Sequence, residues 1–390
     1  MQKKLAIITT HPIQYNAPFF RLLNSENLSF VIKVFYTRGR SQAAVHDKGF
    51  GITFKWDIPL LDGYDYTFVD NVSSYRGTNK FNGIINPTLI KEIEEWKADA
   101  VLVYGWNFTS HLRAMRYFHG KIPILFRGDS NLIDESRGFS VKKLLRRIFL
   151  RWVYHHIDYA LFTGKANKQY YLVHGVKKNQ LLFAPHAVDN ERFSGNNEAC
   201  ENKAVSWRTN LGIKENTCIF LSAAKLTKKK DPEILIKAFV ALNQKDTALI
   251  IVGNGELETE LKERYKHRAD IFFIPFQNQS MMPVVYRLGD IFVLPSKGPG
   301  ETWGLAVNEA MACGRGVIVS DNCGCAPDLV QSGKNGYIFH NSNIESLQNC
   351  MNLCLSNYEE FGNNSFRIIQ SWSYGATINQ LEHFFKKTGN

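Results

Sequence analysis

The residues best suited to chemistry cluster in one stretch, Ser296-Lys-Gly-Pro-Gly-Glu301-Thr-Trp-Gly-Leu-Ala-Val-Asn-Glu309-Ala-Met-Ala-Cys-Gly314. Its glycines open a turn and let backbone approach a ligand. A helix is expected to begin near Gly304–Leu305, so its free amides and positive dipole end form a ready anion site. Glu301 falls in the turn before that helix and Glu309 inside it. A carboxylate accepts hydrogen bonds from two vicinal hydroxyls well. Two carboxylates flanking an anion-binding helix start therefore suit a ligand with a sugar at each side of a diphosphate. Upstream, Lys225 and Lys228 to Lys230 follow an expected strand, Cys218–Ala223, where lysines can reach the same diphosphate. Each charge-assisted contact there is worth roughly 1.5–3 kcal/mol. Taken singly these features are ordinary. Glutamates at this spacing occur by chance in many helices, adjacent lysines are usually a solvated face, and Gly253-Asn-Gly255 is more often a turn than a nucleotide contact.

The elements that must position them alternate. Short apolar runs at Leu5–Thr10, Phe30–Tyr36, Ala100–Tyr104, Ile122–Phe126, Tyr159–Thr163 and Leu181–Phe183 read as buried strands, with helical stretches between them. Residues 37–85 mix Gly, aromatic and polar residues without period, which predicts loops plus a short strand. The pattern lapses into polar residues around Pro185–Arg208 and then restarts at Cys218–Ala223, Ala248–Val252, Ile271–Ile274, Asp290–Leu294 and Gly316–Ser320. Such alternation predicts α/β architecture with parallel sheets covered on both faces. The boundaries are 1–188 for a first Rossmann-like domain, 189–205 for a linker, 206–370 for a second Rossmann-like domain, and 371–390 for a last helix. Two doubly wound domains in series place the ligand at the carboxyl ends of the strands, in a central cleft that the domains face.

Charge is unevenly placed. The chain has 390 residues and a net charge of +11; residues 1–188 hold 26 basic and 14 acidic side chains, residues 189–390 hold 21 and 22. The first domain is thus the one to meet something anionic. One helical stretch, 141–153, places Lys142, Lys143, Arg146, Arg147 and Arg151 on one half of the wheel. Leu144, Leu145, Ile148, Phe149 and Trp152 fall on the other half, with Leu150 as a misfit. Such a helix either packs on the core with a solvated basic face or docks on an anionic membrane surface, at roughly 1 kcal/mol per basic residue near the headgroups. No zinc finger, RNP-like aromatic motif or helix-turn-helix pattern accompanies the charge, so no nucleic-acid partner is expected.

The 44 % apolar and 13 % aromatic residues exclude intrinsic disorder, and 28 Gly with 12 Pro exclude a collagen-like chain. Seven cysteines, an odd number, lack paired zinc-ligand spacing and read as reduced thiols of a cytoplasmic protein. No segment approaches the ~20 apolar residues of a membrane span. The opening apolar run ends at Ile8, too short for a secretory signal.

In combination the motifs are specific. Ala224-Lys225-Leu226 with Lys230-Asp231, Gly253-Asn-Gly255, Pro295-Ser296 with Glu301-Thr-Trp303-Gly304-Leu305, and Glu309-Ala310 follow one another in order, then Met311-Ala-Cys-Gly314, Val317-Ile-Val-Ser320 and Gly333-Lys-Asn-Gly336. This series resembles the retaining glycosyltransferases of the GT-B fold, family 4 (glycosyl transferases group 1), well over residues 181–340 and weakly before them. The resemblance implies that Lys225 and Lys230 hold the donor diphosphate and that Glu301 binds hydroxyls of the transferred sugar. It implies further that Trp303, Gly304 and Leu305 offer backbone amides, and that Glu309 holds the ribose. Lys225 stands where the family usually has Arg, keeping charge without bidentate geometry. In the first domain the family's Gly-Gly loop is replaced by Thr10-His11-Pro-Ile-Gln-Tyr-Asn16, so His11, Gln14 and Asn16 are candidates to meet acceptor or phosphate. For the His that many relatives place after a middle strand, Arg127 and Asp129 are the substitutes here.

The activity so implied is transfer of a sugar from a nucleotide diphosphate, UDP being the family's common carrier, to a saccharide or lipid-linked acceptor with retention. Cell-surface polysaccharide, lipopolysaccharide or glycolipid synthesis is the expected setting, and a peripheral position at the inner face of the cytoplasmic membrane follows from the 141–153 helix. No cofactor and no metal are expected; the chain has no Asp-x-Asp. Two alternatives are a nucleotide-sugar epimerase on the same architecture and a non-catalytic nucleotide-sugar binder. A nicotinamide dehydrogenase is not expected, because no Gly-x-Gly-x-x-Gly follows the first strand.

Overall fold

Strands rich in β-branched and aromatic residues form two parallel sheets. The computed structural model describes residues 2–25, 28–40, 45–47, 49–133, 135, 138 and 140–388. They group into two compact units, 1–43 with 59–185 and 374–390, and 44–58 with 186–373.

The first unit holds β1 (Lys3–Thr9), β2 (Phe30–Tyr36), β5 (Tyr66–Phe68), β6 (Ala100–Tyr104), β7 (Ile124–Arg127), β8 (Tyr159–Phe162) and β9 (Leu181–Phe183). Their order is β5-β2-β1-β6-β7-β8-β9. Each pairing is parallel, with Leu5 opposite Ile32 and Ile7 opposite Val34. Because successive residues of a strand face opposite sides, β1 feeds two cores. Ala6 and Ile8 pack with Val101, Val103, Phe126 and Met115 on one face. Leu5 and Ile7 pack with Phe20, Leu102 and Leu125 on the other, where the last helix, Tyr374–Thr388, inserts Ile378, Leu381, Phe384 and Phe385. Its Phe385 ring stacks on Phe30 at 4.7 Å.

The second unit holds β10 (Cys218–Ala223), β11 (Thr247–Val252), β12 (Ile271–Ile274), β13 (Ile291–Leu294), β14 (Gly316–Ser320) and β15 (Gly336–Phe339), ordered β12-β11-β10-β13-β14-β15 and all parallel. The order reverses between β10 and β13, the switch point where a doubly wound sheet opens a crevice at its carboxyl edge. An antiparallel hairpin, β3 (Val45–Asp47) and β4 (Ile52–Phe54), comes from the early sequence yet belongs to this unit.

Three sequence expectations need correction. The segment 189–205, expected as a linker, is helical: Asn190–Ser194, capped by the Asp189 carboxylate on the Arg192 amide at 3.0 Å, and the start of Asn197–Asn210. The second helix buries only Ala204, so it carries no apolar period to read. Arg208 fastens it, donating to the carbonyls of Arg287 and Leu288. The unit boundary falls at Pro185/His186 rather than 188, and residues 44–58 leave the first unit. Gly336–Phe339, for which no strand was expected, is the edge strand of the second sheet.

Candidate functional site

The carboxyl ends of the second sheet carry these loops on close backbone contacts. The Gly253 backbone has φ +138°, and a Cβ there would meet the Ala224 carbonyl oxygen at 2.2 Å, so the glycine lets the loops after β10 and β11 touch. The Leu226 amide donates to the Asn254 carbonyl at 2.9 Å. Gly253-Asn-Gly255 is thus explained by loop packing. Across the switch point the Lys297 amide donates to the Lys229 carbonyl at 3.0 Å, and Lys229 Nζ to the Gly300 carbonyl at 2.7 Å.

Lys230 and Glu301 meet there. Lys230 Nζ donates to Glu301 Oε2 at 2.5 Å, and both groups are largely buried. Lys225 does not join them; its ammonium is taken by Asp47 of the β3–β4 hairpin. The helix Leu305–Ala312 starts at Gly304, whose φ is +103° and whose Cβ, if it had one, would lie 2.7 Å from Leu294 Cδ2. The first amides of that helix have no carbonyl one turn earlier, as at any helix start. Trp303 keeps its indole inward: the ring N–H donates to Asn308 Oδ1 at 2.8 Å, and Asn308 donates to the His186 carbonyl at 2.9 Å. Its ring lies between His186 and Trp372, at 5.5 and 5.3 Å between centroids. The Trp303 carbonyl accepts from the Cys325 amide at 3.0 Å.

Glu309 is 3 % exposed. Its Oε2 accepts from the Tyr286 hydroxyl at 2.5 Å, while Oε1 is buried with no hydrogen-bond partner. Burial raises its carboxyl to about 7, against the lowering pull of Tyr286 and Arg192. Ser296 Oγ, at the end of β13, is a second buried polar atom without a partner. Buried polar atoms are rarely left unpaired; of the seven such side-chain atoms among the described residues, these two lie on the segment that runs from the end of β13 through the helix Leu305–Ala312.

Residues 205–367 match the family model for glycosyl transferases group 1. That stretch, about two fifths of the chain, makes the second unit similar to the glycosyl transferases group 1. It is 25 % identical over 255 residues to the UDP-Gal:alpha-D-GlcNAc-diphosphoundecaprenol alpha-1,3-galactosyltransferase of Escherichia coli, an alignment covering 60 % of this chain and 62 % of that one. It is 28 % identical over 213 residues to the D-inositol 3-phosphate glycosyltransferase of Corynebacterium glutamicum, covering 51 % and 49 %. The chain thus spans less than two thirds of the length of these relatives. Solved structures with the same fold include HepE of Anabaena in complex with UDP (TM-score 0.69, 17 % identity, 99 % and 100 % covered) and the lipopolysaccharide outer core galactosyltransferase WaaB (TM-score 0.67, 13 %, 98 % and 99 %). The expected GT-B fold of two parallel-sheet α/β domains is the observed one.

The remaining candidates lie in the first unit. His11 follows β1, with Nδ1 2.8 Å from Thr10 Oγ1; burial and then Arg38 push its imidazole down to about 4, so it is neutral at pH 7. Asp129 is exposed beyond the end of β7. Arg127 is engaged structurally, donating to the carbonyls of Ala184 and Pro185 at 2.9 and 3.1 Å. Sequence reasoning missed His111, which is wholly buried on the helix Thr109–Phe118. Its Nε2 lies 2.8 Å from Thr37 Oγ1 and its Nδ1 2.8 Å from the Gly105 carbonyl. A histidine within an otherwise apolar helix face was the available signal. Asp47 and Arg192 were also missed, the first for want of any periodic segment around it.

The helix Val141–Tyr154 corrects the wheel. Leu150, the misfit, is buried with Val153 and Tyr154. Lys143 donates to the Gly138 carbonyl, Arg146 to the Tyr170 hydroxyl, and Arg147 pairs with Glu135 at 3.5 Å. The core is therefore met by the half expected to be solvated. Leu144, Leu145, Ile148, Phe149 and Trp152 face outward at 41–61 % exposure. Lys142 and Arg151 are exposed at the rim, and the Arg116 guanidinium lies 5.6 Å from the Trp152 ring centroid. Among the described residues no helix is long and apolar enough to cross a membrane.

Proposed function

We propose that this protein is a hexosyltransferase that moves a sugar from a UDP-type nucleotide diphosphate to a saccharide or lipid-linked acceptor with retention, without a metal. The observation that carries the reading is the unpartnered Glu309 Oε1, buried on the helix whose amino end stands next to the Lys230–Glu301 pair. A ribose suits this carboxylate: one hydroxyl donates to Oε1, its neighbour to Oε2. The diphosphate meets the amides at Gly304–Leu305 and the Lys230 ammonium, which stabilise charge growing on the leaving phosphate, the largest electrostatic contribution such a site offers. Glu301, pivoting from Lys230, accepts hydroxyls of the transferred sugar. His11 and Asp129 serve the acceptor. The names of the relatives support this reading, since one is a UDP-galactose enzyme acting on a diphosphoundecaprenol substrate and one solved structure with this fold holds UDP.

The acceptor side includes an anionic membrane surface on the cytoplasmic face. Five large apolar side chains in solvent on one helix, with cations at their rim, are more than the scattered exposed residues of an ordinary surface. Interfacial helices present such a face to the headgroup region. Lipopolysaccharide or glycolipid synthesis is the setting that joins a lipid-linked acceptor to this face.

The experiment is donor turnover with Glu301→Ala. Transfer should fall by about a hundredfold or more, the cost of losing an interaction made in the transition state. Undiminished transfer removes Glu301 from the site.

A further inference from the structure

The β3–β4 hairpin reaches the loops after β10 and β12 with more than its backbone. Asp47 holds Lys225 with both carboxylate oxygens, each 2.8 Å from Nζ. The carboxylate is fixed from behind, because the Gly49 and Phe50 amides donate to its Oδ1 at 2.8 and 3.1 Å. The turn is shaped to the lysine: a Cβ on Gly49 would meet Lys225 Cδ at 2.6 Å, and the ammonium lies 4.9 Å from the Phe50 ring centroid. The Phe50 and Phe54 rings each lie 4.7 Å from Phe276 beyond β12. Asn278 donates to the Lys55 carbonyl at 2.7 Å, and the Ser280 amide to Asp57 at 3.0 Å. Burial alone would raise the Asp47 carboxyl, yet Lys225 and the two amides hold it below the ordinary carboxylate range.

We propose that Asp47 is the resident anion of a phosphate subsite at Lys225, and that the donor diphosphate competes with it for that ammonium. The inference rests on the proposed donor site and on the diphosphate role that the resemblance implies for Lys225. An ammonium has three N–H groups, and Asp47 occupies two of them. A diphosphate arriving at the third meets a carboxylate of its own sign, so the two anions do not share the lysine at full strength. The pair is a quarter to a third exposed, which keeps its hold weak enough to exchange. Asp47 thereby sets the charge a ligand must carry to reach Lys225: a neutral sugar leaves the pair in place and a diphosphate displaces it.

Inorganic pyrophosphate is the probe, since it tests the subsite without a base or sugar. Calorimetric titration of the full chain and of Asp47→Asn is compared. Asparagine still accepts the turn amides, so the hairpin keeps its shape and loses its charge. The variant should bind pyrophosphate about fivefold more tightly, the equivalent of a partly exposed ion pair. In the wild-type protein, hydrogen exchange at the Gly49 and Phe50 amides should accelerate when pyrophosphate is added. Equal or weaker binding by Asp47→Asn, or added protection of those amides, overturns the competition while the donor reading stands. Failure of pyrophosphate and of a UDP-sugar to bind either protein overturns both.

Discussion

Donor affinity should depend on pH through Glu309. Burial brings its carboxyl to about 7, so near neutrality it is half ionised. The carboxylate accepts from both ribose hydroxyls, whereas the acid must find a place for its own proton. If binding takes the ionised form, the apparent Kd is the intrinsic value divided by the ionised fraction. For a group titrating near 7 that fraction is about 0.09 at pH 6 and about 0.91 at pH 8. Affinity should therefore rise about tenfold, some 1.4 kcal/mol, between those values and level off above them. The diphosphate of a nucleotide sugar is a diester with no proton to lose in this range, so the ligand adds no slope. Calorimetric titration of a UDP-sugar at pH 6, 7 and 8 reads the effect, and Glu309→Gln should bind with a flat profile. A wild-type Kd constant to within about twofold over that range would falsify the assignment of Glu309 to the ribose.

The same group predicts a stability profile. Its folded value of about 7 lies above its ordinary 4.5, so the folded protein holds a proton that the unfolded chain releases. Stability from this source is complete below about 4.5 and declines as pH rises towards 7, by about 3 kcal/mol in all. Glu309→Gln should remove that decline from denaturant titrations.

Other outcomes follow from single contacts. Gly304→Ala should lower stability by about 1–3 kcal/mol, read as a lower Tm, because φ is +103° and the new Cβ strikes Leu294; an unchanged Tm would mean the turn relaxes freely. Replacing Ile148, Phe149 and Trp152 together by Ser should leave the fold intact and cut co-sedimentation with anionic vesicles more than about tenfold, since each large side chain buried in the interface is worth roughly 1.5–3 kcal/mol. Undiminished sedimentation rejects docking through this helix. Lys142→Gln with Arg151→Gln should instead weaken the salt dependence of the remaining binding, because those two, with Arg146, are the exposed cations of the helix.

How much could be read beforehand differed by element. β1, β2, β6 and β10 to β14 lie within about two residues of their expected limits, because strands buried on both faces are continuous apolar runs that nothing else in the chain imitates. The helix Asn197–Asn210 escaped because it buries one residue. The hairpin β3–β4 escaped because its short strands, Val45-His-Asp47 and Ile52-Thr-Phe54, each carry a polar residue and form no apolar run such as Leu181–Phe183. The helix Val141–Tyr154 was found as a helix and turned the wrong way. Its wheel is amphipathic, but amphipathicity names two faces without saying which neighbour each one meets.

Local order in the chain thus determined the two-sheet architecture, the Glu301-to-Glu309 segment and the helix start at Gly304, since each depends on residues within a few positions of one another. Folding in three dimensions decided the rest: that Lys230 pairs with Glu301, that Lys225 pairs instead with Asp47, and that Glu309 keeps one oxygen buried and unpaired. Those facts depend on side chains tens to hundreds of residues apart competing for the same few ångströms, and a sequence records the competitors without the distances between them.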